Sequence, residues 1–334
     1  MRDGPVILPI IMARLELERS LRTVTAIVLT ASVWCLSAAA CAQPDYPHRV
    51  VTLMTHSSPG GGSDVFLRRL VGFLGEEMGV TFVVMNVRGG SGARAMARLA
   101  NARPDGSMLY ATTPTYIYTS LLSQPPSTFR DLEPVVNMFF DEEIVYTRAD
   151  GPFGSLEAVI AAAREGRGRW GAANPASLER RSLERLKAAA GVSPAIVTYE
   201  GGGDLALNVQ NGTLDIGVGE AIEIEAQIEA GQLRPLAIFA AERSAHFPEV
   251  PTAREVGYDV VVRKFRGFAS PKGLPPEVIA AWERGVERVL ANPDYRRASA
   301  QLSPAFMPHA QYIEFIDEFA AEAEGYLRAT GAIR

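Results

Sequence analysis

The stretch RVVTLMTHSSPGGGSDVFLRRLVGFLGEEM, residues 49–78, changes its hydrophobic period halfway along. Residues 49–54 are apolar and β-branched, a composition that predicts a β-strand. The proline and three glycines of residues 59–62 interrupt that strand. Residues 65–78 then carry apolar side chains at helical spacing and stop at Gly79, which predicts an amphipathic helix. A strand, a glycine loop and a helix in this order are typical of an α/β protein.

The same alternation continues along the chain. Further strands are predicted at residues 81–86, 108–112, 135–140, 144–147, 196–199, 215–218 and 236–240. Helices are predicted at residues 156–165 after Ser155, 178–190 after Ser177 and 205–211 after Asp204, with longer ones at 276–290 and 311–330. Because strands alternate with helices, each sheet is expected to be mostly parallel and flanked by helices.

Residues 1–42 have the pattern of a cleavable secretory signal peptide. Basic residues precede a 13-residue apolar stretch at 24–36, and small residues around Ala42 follow it. That stretch is shorter than the roughly 20 residues of a membrane-spanning helix, so a leader is favoured over an anchor. Acylation of Cys41 and a start at Met12 stay open as alternatives. Cleavage after Ala42 would remove both cysteines and leave the protein in the periplasm.

The composition of the 334 residues excludes several classes of protein. Hydrophobic residues make up 47% and charged residues 21%, as in a globular protein and unlike a disordered or coiled-coil chain. The formal net charge is -5 and no basic run exceeds a pair, so nucleic-acid binding is not expected. The four histidines lack the spacing of metal ligands, and no cofactor motif is complete, so neither a metal nor a cofactor is expected.

A catalytic nucleophile is also not evident in the sequence. Residues 89–93 approach the nucleophile-elbow motif, but Ala93 stands where that motif has its second glycine. Residues 60–63 lack the lysine of a phosphate-binding loop. The sequence therefore offers no paired nucleophile and base, and the protein is predicted not to be an enzyme.

Four polar loops follow predicted strands and are suited to holding a small anion. The first, residues 57–63, lies at a helix N-terminus, where unpaired N–H groups and the helix dipole favour a carboxylate. The others are residues 112–115, 173–177 and 199–204. Loops at the carboxyl ends of parallel strands meet at one edge of the sheet, so a ligand cleft is expected there.

Motifs spread over nearly the whole mature chain carry a family resemblance. They are YP at 46–47, SPGGGSD at 58–64, NVRGGSG at 86–92, PDG at 104–106, YEGG at 199–202, AGQLRPLA at 230–237 and PEVPT at 248–252. Together they resemble the extracytoplasmic substrate-binding receptors of tripartite tricarboxylate transporters, the TctC-like or Bug-type proteins. The resemblance implies an α/β, two-lobed periplasmic-binding-protein fold of type II, the Venus flytrap. It further implies a monomeric receptor that holds a small organic carboxylate between its lobes and delivers it to the permease subunits of the transporter.

The resemblance also implies where the lobes and the binding site lie. Lobe one would comprise residues 43–143 and 265–334, and lobe two residues 144–264. The ligand would be held by main-chain groups, hydroxyls and polar side chains at Ser57, Ser58, Gly61, Gly62, Ser63, Asp64, Thr113, Asn174, Ser177, Tyr199, Gly201, Gly202 and Glu220.

Two departures from the family pattern widen the expected ligand class. Relatives often have an aromatic residue where Ser57 stands and a basic one where Glu200 stands. The ligand class therefore includes monocarboxylates, aromatic acids and amino acids, whose ammonium group Asp64 or Glu200 could meet. Two alternative functions stay open: a receptor that feeds a sensor kinase, and a hydrolase-like enzyme that uses Asp64, Glu200 and Tyr199 as acid-base groups.

Overall fold

The computed structural model describes Tyr46 and residues 48–300 and 302–334. The predicted signal peptide, residues 1–42 with both cysteines, lies outside these residues and stays a prediction. Within the described part, no helix is long and apolar enough to cross a membrane.

Strands and helices alternate along the described chain. The strands are β1 (Val50–Thr55), β2 (Thr81–Asn86), β3 (Met108–Thr112), β4 (Leu132–Asp141), β5 (Glu143–Arg148), β6 (Arg169–Ala173), β7 (Ala195–Tyr199), β8 (Ile216–Glu220), β9 (Leu233–Ile238), β10 (Lys264–Pro271) and β11 (Ser303–Met307). The helices are α1 (Gly62–Met78), α2 (Ala93–Ala100), α3 (Pro114–Ser123), α4 (Leu156–Arg164), α5 (Leu178–Ala190), α6 (Gly202–Gln210), α7 (Ala221–Glu229), α8 (Pro276–Ala291), α9 (Pro293–Ala298) and α10 (His309–Ala329).

The strands form two sheets, which confirms the two-lobed α/β fold. The six-stranded sheet has the order β11-β4-β10-β3-β1-β2, and the five-stranded sheet has the order β7-β6-β8-β5-β9. We call the first sheet with its helices the first lobe, and the second sheet with helices α4 to α7 the second lobe. The chain passes from the first sheet to the second between Asp141 and Glu143 and has returned by Lys264. The lobe boundaries at 143/144 and 264/265 stay a prediction.

Both sheets are mixed, which corrects the expectation of mostly parallel sheets. Strands β1, β2 and β3 pair in parallel, as do β6, β7 and β8. In contrast, β10 pairs antiparallel with β3 and β4, and β5 pairs antiparallel with β8 and β9. Strands β4, β5 and β10, which carry the chain between the lobes, are among the antiparallel strands. Antiparallel neighbours need no helical crossover, whereas parallel neighbours require one.

The helix that follows the glycine loop begins earlier than predicted. Helix α1 starts at Gly62 instead of Val65, with Gly61 as its N-cap residue. It ends at Met78, and the C-cap residue Gly79 has a left-handed φ of 66°. The first-turn N–H groups of α1 therefore belong to the predicted anion loop itself. The caps Ser155 and Ser177 are confirmed: their hydroxyls accept hydrogen bonds from main-chain N–H groups of α4 and α5.

The predicted cap Asp204 is wrong, because α6 begins at Gly202 and Gly201 is its N-cap residue. Glycines are needed at this helix start because it lies against the other lobe. A Cβ atom on Gly201 would overlap the side chain of Ser58 in the first lobe. Asp204 lies in the first turn and pairs with Arg88 at 3.5 Å instead.

Strand β10 is fixed in the core by one aromatic side chain. Phe265 makes edge-on contacts with Tyr116, Phe315 and Phe319, at centroid distances of 6.2, 5.5 and 5.2 Å. Because side chains alternate along a strand, its neighbours Lys264 and Arg266 point to the opposite face. The same packing therefore directs two cations towards the second lobe.

Candidate functional site

A cleft between the lobes collects the loops that follow the strands of both sheets. It is lined by His56, Ser57, Gly62, Ser63, Thr113, Thr115, Ala173, Asn174, Glu179, Gly201, Gly202, Glu220, Glu223 and Lys264. The lobes lie so close that the cavity between them measures about 20 Å³, room for about one water molecule. A ligand of several heavy atoms can therefore enter only when the lobes separate.

The N-terminus of α1 forms the floor of the cleft on the first lobe. The Gly62 N–H donates a hydrogen bond to Oε1 of Glu223, a second-lobe residue, at 2.8 Å. The hydroxyl of Ser63 accepts a hydrogen bond from Nη1 of Arg266 at 2.7 Å. A carboxyl group of the protein thus occupies the place where the helix dipole favours an anion.

Main-chain geometry brings polar groups of the second lobe to the same cleft. Asn174, which follows β6, has a left-handed φ of 54°, a conformation that asparagine tolerates better than most residues. Its N–H donates to the main-chain oxygen of Tyr199 at 2.6 Å. There is no space for a side chain at Gly201 or Gly202. A Cβ atom on Gly202, for example, would overlap the carboxyl group of Glu223.

Several buried charged residues meet at the base of the cleft. We call them the charge cluster: the carboxyl groups of Asp141, Glu143, Glu179, Glu220 and Glu223, and the cations Lys264 and Arg266. Burial of charges is costly unless they pair, so the pairing within this cluster decides its properties. Five carboxyl groups face two cations, which leaves a surplus of acidic groups.

Lys264 binds three of these carboxyl groups at once. Its ammonium Nζ lies 2.6 Å from Glu179 Oε1 and 3.3 Å from Glu143 Oε1, and it also pairs with Glu220. The oxygens of these three glutamates lie close enough to hold a metal ion. The Lys264 ammonium already supplies the positive charge at that position.

Arg266 connects the cluster to the floor of the cleft. Its Nε pairs with Asp141, and its Nη2 lies 3.0 Å from Glu220 Oε1. With the hydrogen bond to Ser63, the guanidinium contacts both lobes. Because its planar donors are fixed in one geometry, Arg266 sets the positions of these three groups relative to one another.

Burial and the excess of carboxyl groups over cations shift the pKa values of the cluster. Burial raises the pKa of Glu143 to about 8, although the Lys264 charge acts against the shift. Burial and the nearby charge of Glu179 likewise raise the pKa of Glu223 to about 8. For Glu179, burial acts upwards but is outweighed by Lys264, so that pKa is lowered. Glu143 and Glu223 are therefore mostly protonated at neutral pH, whereas Glu179 is ionised.

His56 provides a neutral donor on the first lobe. Burial, together with the Lys264 charge, lowers its pKa to about 4, so the ring is neutral at pH 7. The Tyr110 hydroxyl, whose pKa is raised by burial, lies 2.6 Å from Nδ1. If that buried hydroxyl donates to Nδ1, the ring proton is on Nε2. His56 then offers an N–H donor to the cleft.

The predicted site residues divide into two groups. Those that line the cleft are Ser57, Gly62, Ser63, Thr113, Asn174, Gly201, Gly202 and Glu220. Those that lie outside its lining are Ser58, Gly61, Asp64, Ser177 and Tyr199. Whether any of them binds a ligand stays a prediction.

Two residues outside the lining, Asp64 and Ser177, have structural partners, whereas the buried Ser58 hydroxyl has no hydrogen-bond partner among the described residues. Both carboxylate oxygens of Asp64 are bound, to the Gly60 N–H, to the Asn86 amide and to Arg68. Burial acts to raise the pKa of Asp64, but these partners outweigh it and lower that pKa. Ser177 caps α5. Glu200, the other expected ammonium partner, is exposed.

Sequence reasoning missed several residues of the cleft, namely His56, Glu179, Glu223, Lys264 and the adjoining Arg266, whereas Thr115 and Ala173 lie in the predicted polar loops. A signal for two of them was present. Lys264 and Arg266 flank Phe265 in a segment predicted to cross between the lobes, and cations in a buried strand require partners. Glu223 gave a weaker signal, because one acidic residue in a helix first turn is common.

Two lobes joined by crossing strands, with polar loops facing a closed cleft, define a periplasmic binding protein by fold. The chain matches the sequence pattern described as "Tripartite tricarboxylate transporter family receptor" over residues 66–331. It belongs to this family of solute-binding receptors.

A curated relative agrees with this assignment, and solved structures agree with the fold. The protein BugT of Bordetella pertussis is 27% identical over 327 residues, which cover 95% of this chain and 99% of BugT. R. palustris Rpa4515, solved with adipate, superposes with a TM-score of 0.81 at 23% identity, over 86% of this chain and 99% of its own. MatC from Rhodopseudomonas palustris, solved with bound malate, gives a TM-score of 0.76 at 24% identity, over 84% and 99%.

Proposed function

We propose that the protein is an exported periplasmic receptor that captures a small organic carboxylate between its lobes and delivers it to the membrane permease of a tripartite transporter. The observation that carries the proposal is the interlobe cleft, where the α1 N-terminus, hydroxyl groups and the His56 donor converge. Adipate and malate in two structural relatives support a carboxylate as the ligand. Family membership supports the transporter as the partner.

We further propose that the protein binds without catalysis, as a monomer. His56 is the imidazole in the cleft lining, and a group with a pKa of about 4 is a weak base at neutral pH. Its Nδ1 lies against Tyr110 instead of against a serine hydroxyl. Binding and release then depend on separation and closure of the lobes, about the crossings near residues 143 and 264.

The test is a thermal-shift and calorimetry screen of the protein purified from periplasm against mono-, di- and tricarboxylates. At least one acid should raise the melting temperature and be recovered chemically unchanged. Mass analysis of the same material should place the N-terminus near residue 43. Conversion of the acid to a product would refute the receptor assignment, and so would the absence of binding by every acid.

A matched pair of variants tests whether the ligand binds in the cleft. Thr113→Val removes a hydroxyl from the cleft and should weaken binding of the acid about tenfold. Thr213→Val makes the same change at an exposed position and should leave affinity unchanged. Equal affinities in the two variants would place the ligand elsewhere.

A further inference from the structure

The lining of the cleft contains more acidic groups than cations. Glu179, Glu220 and Glu223 line it directly, and Lys264 is the one cation among the lining residues that the structure describes. A ligand with two or three carboxylates would bring further negative charge into this desolvated space. Like charges in such an environment repel strongly, so the cleft disfavours polyanions.

Of the three glutamates that line the cleft, Glu179 and Glu220 pair with Lys264. Glu223 has no cation within ion-pair distance among the described residues. Glu223 is only 8% exposed, and its carboxyl group accepts a hydrogen bond from the Gly62 N–H. Gly202 and Gly219 leave the space that its carboxyl group occupies, because a Cβ atom on either would collide with it.

An independent feature on the first lobe points to a ligand in the same space. The Thr113 side chain lines the cleft and is only 2% exposed, yet its hydroxyl has no hydrogen-bond partner among the described residues. A buried hydroxyl without a partner is costly unless a bound molecule supplies one. With Thr115 and His56 nearby, the first lobe offers donors, and the second lobe offers acceptors.

We propose that the ligand carries a protonated amine as well as a carboxylate, and that Glu223 binds the ammonium group while the first-lobe donors bind the carboxylate. This inference rests on the proposed receptor function and specifies its ligand class. Because Glu223 is mostly protonated in the ligand-free protein, it releases its proton to solvent as the ammonium group binds. The ammonium then supplies the cation that Glu223 lacks and offsets the acidic surplus of the charge cluster. The ammonium group has three donors and no acceptor, which suits a site formed by carboxyl oxygens.

The test compares acids that differ only by an amine, measured by calorimetry on the protein purified from periplasm. The probe pairs are propionate with β-alanine, butyrate with 4-aminobutyrate, succinate with L-aspartate, and glutarate with L-glutamate. In at least one pair the amine should improve affinity roughly tenfold or more. Glu223→Gln should abolish that preference. Glu229→Gln, an exposed position on the same helix, should preserve the preference.

The outcomes separate this inference from the receptor function. If acids without an amine bind as well as or better than their partners in every pair, the ammonium site is refuted and the receptor function stands. If no compound of either series binds, the ammonium site is refuted, and the receptor function is refuted as well only if the wider carboxylate screen also finds no acid that binds. The comparison of pairs in the unmodified protein needs no variant, so it decides the question even if Glu223→Gln fails to fold.

Discussion

Raising the pH from 6.5 to 8 is expected to destabilise the folded protein, through two buried carboxyl groups. Burial raises the pKa of Glu143 and of Glu223 from 4.5 to about 8, so each keeps a proton in the folded protein that the unfolded chain has lost. Each such proton lowers the free energy of unfolding by about 1.4 kcal/mol per pH unit. Near pH 6.5 the two together give a decrease of roughly 3 kcal/mol per pH unit, which flattens as the folded groups ionise.

The pH window is chosen so that other groups contribute little. Burial and the Lys264 charge lower the pKa of His56 from 6.5 to about 4, so stability gained from this group rises between those values and is largely complete above them. The lowered pKa of Asp64, whose unfolded value is near 3.8, gives stability that is already fully present. The decrease above pH 6.5 therefore belongs mainly to the two glutamates.

Urea denaturation at half-unit pH intervals measures this slope. Glu223→Gln should reduce it by about 1.4 kcal/mol per pH unit, because one of the two retained protons is removed. The exposed Glu229→Gln should leave it unchanged. A Glu223→Gln variant with the slope of the unmodified protein, or a stability that rises with pH over this interval, would refute the assignment of buried protonated carboxyl groups.

Three further predictions concern single substitutions. Lys264→Met leaves several buried carboxyl groups without their cation, and urea unfolding at pH 7 should show a loss of about 3 kcal/mol or more. Gly202→Ala places a Cβ atom against the Glu223 carboxyl group, so small-angle scattering should show a more open protein and calorimetry weaker ligand binding. Arg68→Ala removes the mostly exposed partner of Asp64 and should cost less than about 1 kcal/mol in the same urea assay.

Local sequence patterns predicted the elements whose signals lie within a few residues. The strand and helix around the glycine loop, the hydroxyl caps at Ser155 and Ser177, and the stop at Gly79 all depend on neighbours along the chain. The mixed sheet direction was not predictable in this way, because the pairing of β10 with β3 and β4 joins segments more than 120 residues apart. The two-lobed fold was predicted from the resemblance of the sequence motifs to a known receptor family, because hydrophobic periodicity alone does not predict it.

The cleft residues that lie in loops after strands were predicted from the sequence. Those positioned by ion pairs with residues far apart in the sequence were missed. Ser57 and Thr113 closely follow strands β1 and β3, so their position at the edge of a sheet could be inferred. Asp64 and Glu223 could not be assigned from sequence. Each is an acidic residue in the first turn of a helix, yet one binds a neighbouring arginine and the other reaches into the cleft.

The junction between β4 and β5 consists of one residue, Glu142. Asp141 and Glu143 are thus two positions apart, which places their carboxyl groups on the same side of an extended chain, towards Arg266 and Lys264. Adding or removing one residue here would turn Glu143 to the opposite side and withdraw a carboxyl group from Lys264. The length of the connection between the lobes is therefore constrained by ion pairing as well as by geometry, and insertions that surface loops accept would be rejected at this point.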